Sequence, residues 1–509
     1  MLFNSLSFLI FFPVVVLLYG ILPKKLRAPW LLIASYYFYM SWNAKYAALI
    51  ALSTATTWLC GLIIGDSTKK TKKDDDAAPV TAVPAIRRKA ALIAVIVINL
   101  GILFFFKYFG FAVDTLNGVL GLFHAAPVTA SLNVLLPVGI SFYTFQALGY
   151  TFDVYKGRIE PEKSFLRYAL FVSFFPQLVA GPIERSERLL KQIDHVEEIR
   201  FWQYDRIVTG LITMCWGLFM KMVIADRIAI IADTVFDAPY GFGTFELIAG
   251  MLAFTLQIYC DFNAYSTIAI GAAKVMGFSL MDNFHTPYFA ETIADFWRRW
   301  HISLSTWFRD YVYIPLGGNR CSRTRRYFNL MVTFLVSGLW HGASMSFVVW
   351  GGVHGILQIA EDLLKKPLAK AEDLLHVNRD NFSYHFGKIM VTFSLVSIAW
   401  IFFRAQTLKD AVYYIHRMFT RWNPWVLFNE GMYQIGLDRF EMNILIVSLV
   451  ALLLVDLLWY FRQVDLAAFL MDQGLWFRWA VVIVLIVCIL VYGIYGVNFD
   501  STQFIYFDF

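Results

Sequence analysis

Long apolar runs broken by short polar stretches recur from one end of the chain to the other. The first three lie near 6–22, 30–42 and 46–64. Further runs follow near 90–106, 132–152, 165–179, 207–224, 245–260, 265–276, 327–339, 347–359, 388–403, 443–460 and 477–495. Apolar segments of this length read as membrane helices, and together they predict roughly 11 to 14 crossings. Several runs are shorter than the ~20 residues needed to span a bilayer upright. Many are also cut by Gly or Pro, as at Pro137, Gly139, Gly149, Pro176 and Gly181. Irregular backbone is tolerated at membrane depth only where protein or a cavity covers it, so some helices are expected to be re-entrant around an internal cavity. The expected fold class is an all-α polytopic membrane protein. No self-similar period of about 20 to 50 residues supports a repeat architecture.

Composition narrows the class further. The chain has 509 residues, 59% hydrophobic and 16% charged, with a mean hydropathy of +0.59. A soluble globular protein is excluded by these values. Continuous apolar patterning favours one membrane-embedded domain over 1–509, rather than a string of soluble domains. The cysteines Cys60, Cys215, Cys260, Cys321 and Cys488 are scattered and mostly inside apolar runs. That spacing fits neither a disulfide framework nor a zinc or iron–sulfur site, so no metal site is expected. The net charge of +6 reads as basic cytoplasmic loops rather than nucleic-acid binding.

The first run lacks a basic leader and a small-residue cleavage site, and it reads as a retained transmembrane helix. Lys24, Lys25 and Arg27 follow it, and two runs later come Lys69, Lys70, Lys72, Lys73, Arg87, Arg88 and Lys89. The positive-inside rule places both clusters in the cytoplasm and the N-terminus outside. The charged, proline-containing stretch 66–88 is expected to be a mobile cytoplasmic loop.

Two segments carry candidate chemistry. Residues 295–326, DFWRRWHISLSTWFRDYVYIPLGGNRCSRTRR, hold seven arginines and many aromatics. On a continuous helix Trp297, Trp300, His301, Leu304, Trp307, Phe308 and Tyr311 share one face, and the arginines lie elsewhere. Such a helix would lie along the cytoplasmic interface or line a polar funnel. An interfacial anchor accounts for the Trp and Arg residues, but not for His301 in the middle of the aromatic face.

The second segment, SGLWHGASMSFVVWGGVHG over 337–355, places His341 after an apolar run, between Gly338 and Gly342. An ionisable residue at membrane depth is costly and points to a pathway or a reaction site. A neutral imidazole avoids that cost, and it can take a proton from a hydroxyl and return it. The flanking glycines would leave room for a substrate. A packed, hydrogen-bonded structural histidine is the competing reading. His354 would lie on the opposite side of a straight helix and approaches His341 only if the chain breaks near 342–344. It reads as a structural or supporting residue.

DFWRRWHISLSTWFRDYVYIPLGG and GLWHGAS stand alongside the opening MLFNSLSFLIFFPVVVLLY, FFPQLVAGPIER (174–185) and the terminal FIYFDF. Together these stretches closely resemble the membrane-bound O-acyltransferase family, in particular its bacterial polysaccharide O-acetylation branch. The resemblance runs over nearly the whole chain. It implies a bundle of spanning and re-entrant helices around a central funnel, with His341 of the WHG motif as the catalytic residue and His301 of RRWH as the second active-site position. One stretch departs from the pattern. In LQIYCDFNAYSTIAIG (256–271), Asn263, Ala264 and Thr267 replace residues common in relatives, while Asp261 is retained. Asp261 reads either as a tunnel-wall hydrogen-bond partner or as a carboxylate paired with a Tyr or Arg. Trp300 and Trp340 are supporting candidates.

The reaction expected from these readings is O-acylation of an exported or cell-wall polysaccharide. Acetyl-CoA is the expected donor substrate, with no bound cofactor. Its phosphates would meet Arg298, Arg299 and Arg323, because a guanidinium fork matches phosphate oxygens. His341 would act as general base, with His301 orienting it or donating to the thioester oxygen. The chain is expected in the inner (cell) membrane, and the resemblance also implies an extracytoplasmic SGNH-hydrolase-like acetyltransferase as partner. A D-alanyl transferase for teichoic acid, a solute transporter and a non-enzymatic scaffold are the alternatives.

Overall fold

Apolar runs with no polar neighbours to pair their backbone groups close into helices. The computed structural model describes residues 1–65, 84–129, 136–179 and 181–495, and among them it holds helices and no β-strand. Among the described residues, eight helices are long and apolar enough to cross a membrane: Ala44–Gly65, Ala85–Leu122, Tyr204–Asp237, Thr244–Met276, Met345–Leu374, Phe382–Arg404, Arg439–Arg462 and Leu475–Tyr492. Leu6–Ile21 is a shorter apolar helix. Only 17% of the apolar stretch of Arg439–Arg462 and 11% of that of Leu475–Tyr492 is buried in protein. Apolar side chains exposed to this degree are stable in hydrocarbon and not in water, so the chain is an all-α, multi-pass membrane protein.

The chain divides into two compact units, one of Met1–Val208 with Ala272–Met281, the other of Thr209–Gly271 with Asp282–Phe509. In the first, helix Ile140–Tyr155 is buried along almost its whole length. A polar side chain buried there needs an internal partner, and Gln146 donates to the Phe171 carbonyl at 2.7 Å. The apolar run at 165–179 becomes two pieces, Phe165–Ser173 and Phe175–Leu178, with Pro176 in the first turn of the second. Glu184 is buried and accepts from the Met281 backbone N–H.

Other elements depart from the hydrophobic pattern in instructive ways. The separate runs at 245–260 and 265–276 form one helix, Thr244–Met276, because Asp261 between them is neutralised rather than solvated. The run at 90–106 continues through a π-helical stretch, Phe104–Tyr108, into Phe109–Leu122. Of the expected loop 66–88, residues 66–83 lie outside the described residues, and Arg87 and Arg88 belong to helix Ala85–Leu103. The terminal FIYFDF also lies outside the described residues. Amphipathic helices such as Asp226–Asp237 and Leu408–Thr420 do not stand out in an apolar-run reading, because charges interrupt them.

Candidate active site

The segment expected as one amphipathic helix over 295–326 is broken at its centre. Ile293–Arg299 ends at Trp300, whose backbone is extended, and His301 adopts a left-handed conformation (φ 43°) before Ile302–Phe308 begins. A positive φ at a non-glycine residue is strained and needs surrounding support. Asn283 supplies it. Its carbonyl accepts from the Ile302 N–H at 3.0 Å, and its side-chain oxygen accepts from the Ser303 hydroxyl at 2.7 Å. Its amide donates to the Ser266 hydroxyl at 2.9 Å, which ties the break to helix Thr244–Met276. The break turns the aromatic face inward: Trp300, His301, Leu304 and Phe308 are all buried, so this face packs in protein rather than lying on a membrane surface.

His301 is fully buried, with its ring edge-on to Phe262 at 4.6 Å. It lies between two helices too short to cross a membrane. Desolvation pulls its imidazole down to about 3, so it is neutral near pH 7.

His341 is the last residue of helix Arg323–His341. Gly342 then turns extended, and the next helix, Met345–Leu374, starts three residues on. The rings of His301 and His341 lie 6.3 Å apart, and Trp340 borders both, at 6.0 Å and 4.9 Å. Trp350 and Phe403 close on His341 at 5.1 Å and 5.3 Å. The glycines beside His341 do not leave space for a ligand, as the sequence suggested. A Cβ at Gly342 would enter the Phe347 ring, and one at Gly338 would enter the Phe347 carbonyl, so these positions serve close packing of the two helices.

The break at 342–344 brings His354 back toward His341. Both rings contact Trp350, which is 4.9 Å from His354. The Trp297 indole N–H donates to His354 Nδ1 at 3.3 Å. Trp300 is buried between Phe296 and Trp400, at 5.5 Å and 5.1 Å.

Asp261 forms an ion pair with a lysine. Its carboxylate lies 2.6 Å from the Lys221 ammonium, which also holds Asp226 at 2.8 Å, and all three are buried. Lys221 is inconspicuous in the sequence because it sits inside the apolar run at 207–224, although a lone cation there is the kind of residue whose cost demands a partner. Of the arginines, Arg298 is exposed, Arg299 pairs with Asp295 at 2.8 Å, and Arg323 reaches Asp362 at 3.5 Å beside Arg326.

A buried pair of imidazoles, walled by aromatic rings in a multi-pass helical protein, is equipped for proton transfer away from bulk water. The profile of the membrane-bound O-acyltransferase family matches residues 158–402, the stretch that contains both histidines. A probable alginate O-acetylase AlgI of Pseudomonas aeruginosa is 37% identical over 467 residues, covering 91% of this chain and 83% of that protein. A peptidoglycan O-acetyltransferase of Helicobacter pylori is 35% identical over 445 residues, covering 81% of this chain and 78% of its own length. A teichoic acid D-alanyltransferase of Bacillus subtilis is more distant, 28% identical over 260 residues, 48% of this chain and 63% of that protein. The chain belongs to the membrane-bound O-acyltransferase family and is an O-acyltransferase.

Proposed function

We propose that this O-acyltransferase carries an acetyl group from a cytoplasmic thioester, acetyl-CoA, to a hydroxyl presented on the outer side of the inner membrane, for O-acetylation of an exported or cell-wall polysaccharide. The observation that carries the reading is the 6.3 Å approach of His301 and His341 in a buried aromatic enclosure. His341 takes the proton of the attacking hydroxyl as its oxygen adds to the thioester carbonyl carbon. It returns that proton to the sulfur as the carbon–sulfur bond breaks. His301, held neutral by burial, orients the reacting groups by hydrogen bonding.

Arg298, Arg299 and Arg323 face the cytoplasm in this reading and receive the donor's phosphates, while the N-terminus is outside. The immediate acceptor is the polysaccharide or a serine of an extracytoplasmic SGNH-hydrolase-like partner. Similarity to two O-acetylating relatives over most of their length supports acetyl over D-alanyl transfer. Asp261, bound to Lys221, keeps a structural role beside the site.

The test is thiol release from acetyl-CoA by the protein in nanodiscs with an oligosaccharide acceptor, run beside a D-alanyl carrier-protein thioester. Release from acetyl-CoA alone is expected, and turnover of the carrier thioester alone would assign D-alanyl transfer. Labelling of a cysteine placed at 323 by an impermeant reagent applied outside intact cells would contradict the orientation.

A further inference from the structure

Trp350 and His354 stand four positions apart on helix Met345–Leu374, so their side chains lie on one face, with the rings 4.9 Å apart. Both residues are fully buried. The indole N–H of Trp297 can only donate, and it donates to His354 Nδ1 at 3.3 Å. Nδ1 is therefore the acceptor, and the neutral ring carries its hydrogen on Nε2. That N–H and the Trp350 indole N–H are both buried, and among the described residues neither has an acceptor. A buried donor without an acceptor is expensive, and phenylalanine at either position would fill the same aromatic space without that cost. The Trp350 ring also touches His341 at 5.1 Å, next to the place where the hydroxyl proton must be taken.

We propose that the Trp350 and His354 N–H groups form a donor pair that receives the carbonyl oxygen of the acyl group during transfer, with Trp297 fixing the His354 tautomer. The inference rests on the acyl-transfer reading with His341 as base. As the hydroxyl oxygen bonds to the carbonyl carbon and its proton passes to His341, the carbonyl electron pair moves onto oxygen. The two N–H groups stabilise that charge, and the pair returns to re-form the carbonyl as the carbon–sulfur bond breaks and His341 protonates the sulfur. Donors set in place before charge develops, in a site that excludes water, favour the transition state over the ground state. His301 keeps the orienting role.

The experiment measures kcat and KM for acetyl-CoA in nanodiscs for wild type, Trp350→Phe, His354→Phe, the double variant and His354→Gln, each with its melting temperature. Loss of one such donor is expected to lower kcat by about 100-fold with little change in KM. The double variant should lose less than the product of the two single losses, because both donors serve one oxygen. His354→Gln, which keeps an N–H, should retain more activity than His354→Phe at equal membrane abundance. Wild-type kcat in His354→Phe, or a Gln variant no better than Phe, would overturn the donor pair while leaving acyl transfer intact. A wild-type protein that releases no thiol would overturn the acyl-transfer reading itself, and the donor pair with it.

Discussion

The imidazoles of His301 and His341 lie 6.3 Å apart, and each sits where its helix is interrupted. His301 occupies a left-handed link between two short helices, and His341 is the final residue before an extended Gly342. A side chain in the middle of a long helix is committed to that helix's face. A residue at an interruption can be aimed, and two aimed imidazoles form a site that neither helix would produce alone.

The role of His301 can be separated from packing. If its contribution is a hydrogen bond, His301→Gln keeps part of the polysaccharide O-acetylation, since an amide can donate, whereas His301→Phe keeps almost none. The ring contact with Phe262 at 4.6 Å favours Phe on packing grounds, so the two readings predict opposite orders. Acetyl content of the polymer at matched membrane abundance distinguishes them, and better function in the Phe variant would assign His301 to structure.

The close packing of the two helices that carry His341 and His354 sets a second expectation. A Cβ at Gly351 would be driven into the Phe334 carbonyl oxygen, whereas one at Gly352 would meet only Leu335 Cδ2, at an ordinary 3.6 Å. Overpacking of this kind costs about 1–3 kcal/mol. Gly351→Ala should therefore lower the melting temperature in detergent and, by moving Trp350 away from His341, reduce activity at least tenfold. Gly352→Ala should do neither.

Glu184 lies outside the membrane-crossing helices, and burial pushes its carboxyl up from 4.5 to about 7, against the N–H of Met281, which favours the ionised form. Between these values the folded protein binds a proton that the unfolded chain has released, so this group's contribution to stability is present below about pH 4.5. It is lost as pH rises through about 7. Glu184→Gln cannot ionise. Its melting temperature relative to wild type should rise from pH 5 to pH 8, corresponding to about 1.4 kcal/mol for each tenfold difference in proton affinity between the folded and unfolded carboxyl. A difference that is flat with pH would contradict this.

Much of the framework was legible in the chain. The apolar runs at 6–22, 30–42 and 46–64 reappear as helices Leu6–Ile21, Arg27–Met40 and Ala47–Gly65, since little besides a membrane helix can use so continuous a pattern. His341 stood out for the same reason, as a polar group where polarity is expensive. The break at His301 was not legible. Its helical pattern runs unbroken through 295–308, and the interruption is imposed by Asn283, a residue distant in sequence whose hydrogen bonds outcompete the local helix. The functions of Gly338 and Gly342 were not legible either, because a glycine in a sequence marks close approach without saying what approaches. Here it is Phe347.

Whether His341 performs the proton transfer is decided by His341→Ala, with acetyl content of the exported polymer measured at matched membrane abundance. His341 is buried against Trp340, Trp350 and Phe403, so the substitution removes the imidazole while those rings keep their own packing partners. Acetylation should fall to the level of a strain lacking the protein. Acetylation at the wild-type level would remove His341 from the reaction.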